Sequence, residues 1–65
     1  MLDVEHAMLA EQFRELLEKE RQAEKLYTEL AGKPTTPEVR EQLRQLQREK
    51  SRHVQLVQRL LEIVE

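Results

Sequence analysis

The 65-residue sequence contains no cysteine and no tryptophan, a single glycine, two prolines, one tyrosine and one phenylalanine. Without cysteine there is no disulfide framework, no thiol nucleophile and no thiolate metal site. One glycine cannot build a glycine-rich phosphate loop, and no Ser-His-Asp arrangement is present. Aromatics are too scarce to stack bases as single-stranded RNA readers do. Charged residues make up 37% of the chain, so no window is apolar enough to span a membrane. The first residues, MLDVEHAMLAEQ, carry acids where a secretory signal has a basic region and an apolar run. With no cysteine either, the cytoplasm is the expected location. The net charge of −2 weighs against nucleic acid as the main partner.

What remains is helical. Leu, Glu, Gln, Arg, Ala and Lys dominate, all of them good helix formers. One apolar stripe reads Leu2, His6, Leu9, Phe13, Leu16, Glu20, Ala23, Tyr27, Leu30. A second reads Val39, Leu43, Leu46, Lys50, His53, Val57, Leu60, Val64. Both alternate steps of three and four, the seven-residue repeat of helices packed lengthwise. The break between them is Ala31-Gly32-Lys33-Pro34-Thr35-Thr36-Pro37. Gly32 suits a left-handed residue closing the first helix. Thr36 before Pro37 reads as an N-cap and first-turn proline, while Thr35 with Glu38 offers an alternative capping box. The expected fold is all-α: an antiparallel hairpin with helices over about 3–31 and 37–64, forming a single domain over 1–65.

A chain this short has little core of its own. Its apolar surface is wider than one seam, with Leu17 and Leu26 flanking the first stripe and Val54, Leu56, Leu61 and Ile63 flanking the second. Exposed apolar area of that extent marks an interface. The simplest closure is a homodimer of hairpins, a four-helix bundle packed through Leu9, Phe13, Leu16, Ala23, Tyr27, Leu43, Leu46, Val57 and Leu60. Tyr27 is expected to face Leu43 and Leu46.

Four ionisable residues interrupt the stripes: His6, Glu20, Lys50 and His53. His6 lies near the start of the first helix, where it reaches water. In an antiparallel hairpin with this loop, Glu20 lies level with Lys50 and His53 falls about one turn further on; a shift of half a heptad brings Glu20 level with His53 instead. Either register clusters an acid, an amine and an imidazole. A polar group in such a seam costs stability unless it is paired or bound. The cluster is therefore either an ion pair that fixes register or part of a metal site.

At these residues the sequence resembles the rubrerythrin branch of the ferritin-like family. Glu20-Arg-Gln-Ala23-Glu-Lys-Leu-Tyr27 matches the family's Glu-x-x-Ala-x-x-x-Tyr, and Glu49-Lys50-Ser51-Arg52-His53 lies on its Glu-Glu-x-x-His pattern. The likeness runs over residues 16 to 62 and amounts to one two-helix half of a ferritin-like bundle. It implies Glu20 and His53 as metal ligands and Tyr27 as the core tyrosine, and it sets Lys50 where the bridging glutamate belongs. A protonated lysine has no lone pair to donate to a metal. A dimer with two Glu20 and two Lys50 is already neutral. The expectation is therefore a metal-free module in which Lys50 takes over the metal's electrostatic role, with no cofactor and no catalysis. The alternative is a metalloprotein with iron, manganese or zinc held by Glu20, Glu49 and His53, carrying out peroxide or ferroxidase chemistry. The third and weakest reading is a small RNA-binding bundle, from Arg40, Arg44, Arg48, Arg52 and Arg59; Glu38, Glu41 and Glu49 interleave these into a mixed, solvated face.

Overall fold

The structure, a computed structural model, describes residues 4–65. Helix α1 spans Val4–Ala31 and helix α2 Pro37–Val64, each of 28 residues, and the described residues contain no strand. The expected start at residue 3 and the first stripe position, Leu2, lie outside the described residues. The two helices pack along their length into a rod measuring 52 × 13 × 11 Å.

The connection runs through local chemistry. Thr36 has an extended backbone, with φ −73° and ψ 153°, and its Oγ1 accepts a hydrogen bond from Val39 N at 3.2 Å. Thr36 is therefore the cap and Pro37 opens the first turn, where its missing N–H costs nothing. Gly32 does not take the left-handed conformation expected of it; no glycine here has positive φ. The end of α1 tightens instead. Gly32 N donates to Thr28 O and Glu29 O, at 3.3 and 3.2 Å, and Lys33 N donates to Leu30 O at 3.1 Å. These shorter-range bonds satisfy the last carbonyls without a left-handed residue. Pro34 then bars Lys33 from continuing the helix.

The seam has a definite heptad phase. On α1, positions a are Ala10, Leu17, Glu24 and Ala31, and positions d are Phe13, Glu20 and Tyr27. On α2, a holds Arg40, Gln47, Val54 and Leu61, and d holds Leu43, Lys50, Val57 and Val64. Apart from His6, an exposed d position in the first turn of α1, every described seam position is buried or half-buried, and among the described residues only Ala23, Leu30 and Ser51 join them. Leu17, Val54 and Leu61, read from sequence as flanks, are therefore seam residues. Leu9, Leu16, Leu46 and Leu60 stand in the adjacent g column, 37%, 40%, 36% and 44% exposed.

That seam is thin. Among the described residues only Ala10, Leu17, Ala31 and Val57 are buried, and none of the large side chains is fully enclosed. Tyr27 is half-buried rather than a core plug. Because the helices are antiparallel, the two g columns share one side of the rod and the two e columns the other. The g side carries Leu9, Leu16, Ala23, Leu30, Val39, Leu46, His53 and Leu60, seven of the eight apolar. The e side carries Arg14, Arg21, Thr28, Arg44, Ser51, Gln58 and Glu65, with Ala7 and Pro37 as its apolar members. The hairpin thus has one apolar flank and one polar flank.

Candidate functional site

The polar seam residues gather near the middle of the rod. Glu20 projects from α1 into the seam, and Lys50 meets it from α2. Lys50 Nζ lies 3.2 Å from Glu20 Oε2 and donates to Oε1 at 3.4 Å. Their side chains are 26% and 16% exposed, so the pair is only partly hydrated. One turn along α2, His53 Nδ1 lies 3.4 Å from the same Glu20 Oε2, while the ring itself stands half-exposed on the apolar flank. Glu20 therefore touches both α2 residues, and the contacts across the rod follow the shifted register, with Glu20 near the level of His53 and Lys50 reaching back to it. Oε2 has two electrostatic neighbours but no aligned hydrogen bond, although it is buried. Lys50 is angled toward Oε1, and the contact to His53 is ion-pair proximity only.

A second contact lies one turn nearer the loop, where Ser51 Oγ donates to Glu24 Oε2. Sequence reading missed it. The available signal was the step of four from Glu20 to Glu24, matched by the adjacency of Ser51 to Lys50 on α2. Arg14 and Glu65 close the open end of the rod at 2.6 Å, and Arg14 also reaches Glu11 at 3.5 Å. On α2, Arg48 pairs with Glu41 at 3.3 Å. These exposed pairs contribute little each.

The chemistry of the donor set does not suit a metal within one hairpin. Glu20 and His53 supply two ligands, but Lys50 brings an ammonium between them, and its three N–H donors compete for the same carboxylate. Glu49 is exposed on the outer face of α2 and is not brought to Glu20. Among the described residues no group of three or more His, Cys, Asp or Glu side chains is placed to hold an ion. No described helix is long and apolar enough to cross a membrane. The arginines of α2 are spread around its circumference: Arg40 in the seam, Arg44 on the polar flank, Arg48, Arg52 and Arg59 outward.

Comparison of the chain with family models, with curated proteins and with solved structures returned no match.

Proposed function

We propose that this chain is a non-catalytic interaction module that works as a homodimer. Two hairpins join through their apolar flanks into a four-helix bundle of ferritin-like type, with the Glu20–Lys50 pair standing in place of a metal. The observation that supports the dimer is exposed area. The chain exposes 5284 Å² at a mass of 7.8 kDa, whereas a compact monomer of that mass exposes about 4,400 Å². The excess of about 900 Å² is close to the ~800 Å² that each partner contributes to a stable interface. Five of the ten exposed large apolar residues, Leu9, Leu16, Val39, Leu46 and Leu60, share the g side of the rod.

Lys50 supports the non-catalytic half of the reading. An ammonium paired to the one seam carboxylate it faces satisfies charge and fixes register, as a seam polar residue does in coiled coils. The shallow apolar depression lined by Leu56, Arg59, Leu60 and Ile63 runs into the same flank.

The test is mass in solution together with metal content. Sedimentation at micromolar concentration is expected to give twice the chain mass with no stoichiometric metal. Leu16→Asp or Leu60→Asp, each placing a charge on the flank, is expected to return a monomer of reduced helicity. A wild-type chain that stays folded as a monomer would overturn the dimer, and one ion per chain or per dimer would overturn the metal-free reading.

A further inference from the structure

The hairpin does not bury its most apolar columns. Of the eight residues in its a columns three are polar, Glu24, Arg40 and Gln47, and all three are half-buried. Glu24 has Ser51 as a partner; the Arg40 and Gln47 side chains have none among the described residues. Two more a positions are Ala10 and Ala31, which bring little apolar area. The g columns hold one polar residue, His53, yet their leucines Leu9, Leu16, Leu46 and Leu60 each stand more than a third exposed. Half-buried polar groups without partners cost a seam free energy, and leucines left in water withhold theirs.

The a and g columns lie on either side of d. A turn of each helix by about 60° about its own axis therefore exchanges an a/d seam for a d/g seam. Both g columns are on one side of the rod, so the two helices turn in opposite senses, like meshing gears. Phe13, Tyr27, Val57 and the Glu20–Lys50 pair are d residues and stay in the seam throughout. The turn carries Glu24, Arg40 and Gln47 out to water and brings the four g leucines in. Against that, it exposes Leu17, Val54 and Leu61. It also parts Glu24 from Ser51 and Arg14 from Glu65, contacts on the opposite, polar side. The Arg14–Glu65 pair is exposed and contributes little. Leucines and polar groups are traded for others of the same kind, and packed side chains settle in one arrangement or the other rather than between.

We infer that the free hairpin interconverts between these two seams by counter-rotation of α1 and α2. Resting on the homodimer reading, the second copy is what selects between them. It docks on the g columns, so it binds the a/d form alone and draws the population to it. The rotated form hides that flank, and the fraction of hairpins it holds weakens the apparent affinity in proportion. Association thus sets which face each helix turns to water. Arg40 and Gln47 point outward only in a hairpin without its partner, and the Glu20–Lys50 pair serves as the common pivot of both forms.

The chain has no cysteine, so one introduced thiol reads one face. Leu16→Cys reports the g column and Leu17→Cys the a column. Each is labelled with a maleimide dye over a dilution series, with mass followed by sedimentation and helicity by circular dichroism. In the dimer both thiols are expected to be protected. Once diluted to the chain mass with helicity retained, position 17 is expected to react within about tenfold of position 16, because a rotated form holding roughly a tenth of the molecules suffices. A slower reaction at position 17 overturns the inference, as does a loss of helicity that frees both thiols together. Arg40→Leu with Gln47→Leu makes the a columns more apolar and is expected to slow position 17 several-fold while position 16 stays fast. An unchanged ratio would mean that position 17 opens by unfolding, and it too overturns the rotation. Leu9→Cys and Ala10→Cys repeat the comparison nearer the open end should loss of either leucine unfold the chain. A wild type that is a monomer at every concentration overturns the homodimer, and the same pair of thiols then still decides between one seam and two.

Discussion

Glu20 Oε2 sits 3.2 Å from Lys50 Nζ, and among the described residues it is the buried side-chain oxygen without an aligned donor. Lys50 donates to Oε1 at 3.4 Å and holds Oε2 by charge alone. Each partner is therefore sensitive to loss of the other.

Lys50→Ala leaves Glu20 partly buried without its cation. It is expected to cost about 1–3 kcal/mol, below the range for fully buried pairs because the site keeps some solvent. Glu20→Leu combined with Lys50→Leu removes both charges and is expected to fall within about 1 kcal/mol of wild type, or above it. Urea melts of Glu20→Leu, Lys50→Leu and the double variant, beside wild type, form a cycle that isolates the coupling. A Lys50→Ala cost no larger than that of an ordinary surface change would mean the pair does not hold the seam.

Lys50→Glu restores the Glu-x-x-His spacing, so that each chain offers Glu20, the new carboxylate and His53. Without metal this variant is expected to melt below wild type, since carboxylates crowd one region. With ferrous, manganous or zinc ions it is expected to regain stability, because an ion that binds only the folded state shifts the equilibrium toward it. Thermal melts of both proteins with and without metal make the comparison. An equal gain in wild type would identify a working metal site.

Thr36 and Thr35 separate cleanly. Thr36→Ala removes the oxygen that accepts from Val39 N and is expected to cost about 1 kcal/mol. Thr35→Ala touches no cap and is expected to stay within about 0.5 kcal/mol of wild type. A larger loss at Thr35 would mean that α2 begins one residue earlier in solution.

Gly32→Ala is expected to stabilise the hairpin by about 0.4–1 kcal/mol, through the smaller entropy of the unfolded chain. The position has no positive φ, and an added Cβ would meet Glu29 O at 3.5 Å and Thr28 O at 3.7 Å, ordinary contact distances. Destabilisation on the same scale would show that the loop needs a left-handed residue after all.

The elements were legible in the sequence because heptad spacing, Thr36-Pro37 and the Gly-Pro break all act locally. The phase of the seam was less so. The stripe through Leu9, Leu16 and Ala23 and the observed column through Ala10, Leu17 and Glu24 differ by one residue, while Phe13, Glu20 and Tyr27 belong to both. With three adjacent columns rich in apolar residues, periodicity cannot say which two the hairpin uses for itself. Small Ala10 and Ala31 let the helices approach at either end of α1, and the Glu24–Ser51 contact holds the middle. Those are pairwise facts across the rod, invisible to a reading of one helix at a time. Gly32 failed for a related reason: composition admits a left-handed cap, but Pro34 two residues on ends the helix without one.

The ties between the helices form one ladder that starts at the loop: Glu24 with Ser51, Glu20 with Lys50 and His53, then Arg14 with Glu65. Closing a short loop brings the first rung together at little entropic cost, and each later rung extends a structure already begun. An isolated hairpin built this way opens from its free end like a zip, so amide exchange should quicken steadily from Tyr27 and Leu43 out toward Val4 and Glu65. A partner lying along the whole flank holds both ends at once and would flatten that gradient. The slope of protection along the rod, followed against protein concentration, therefore reads the assembly state residue by residue without any label.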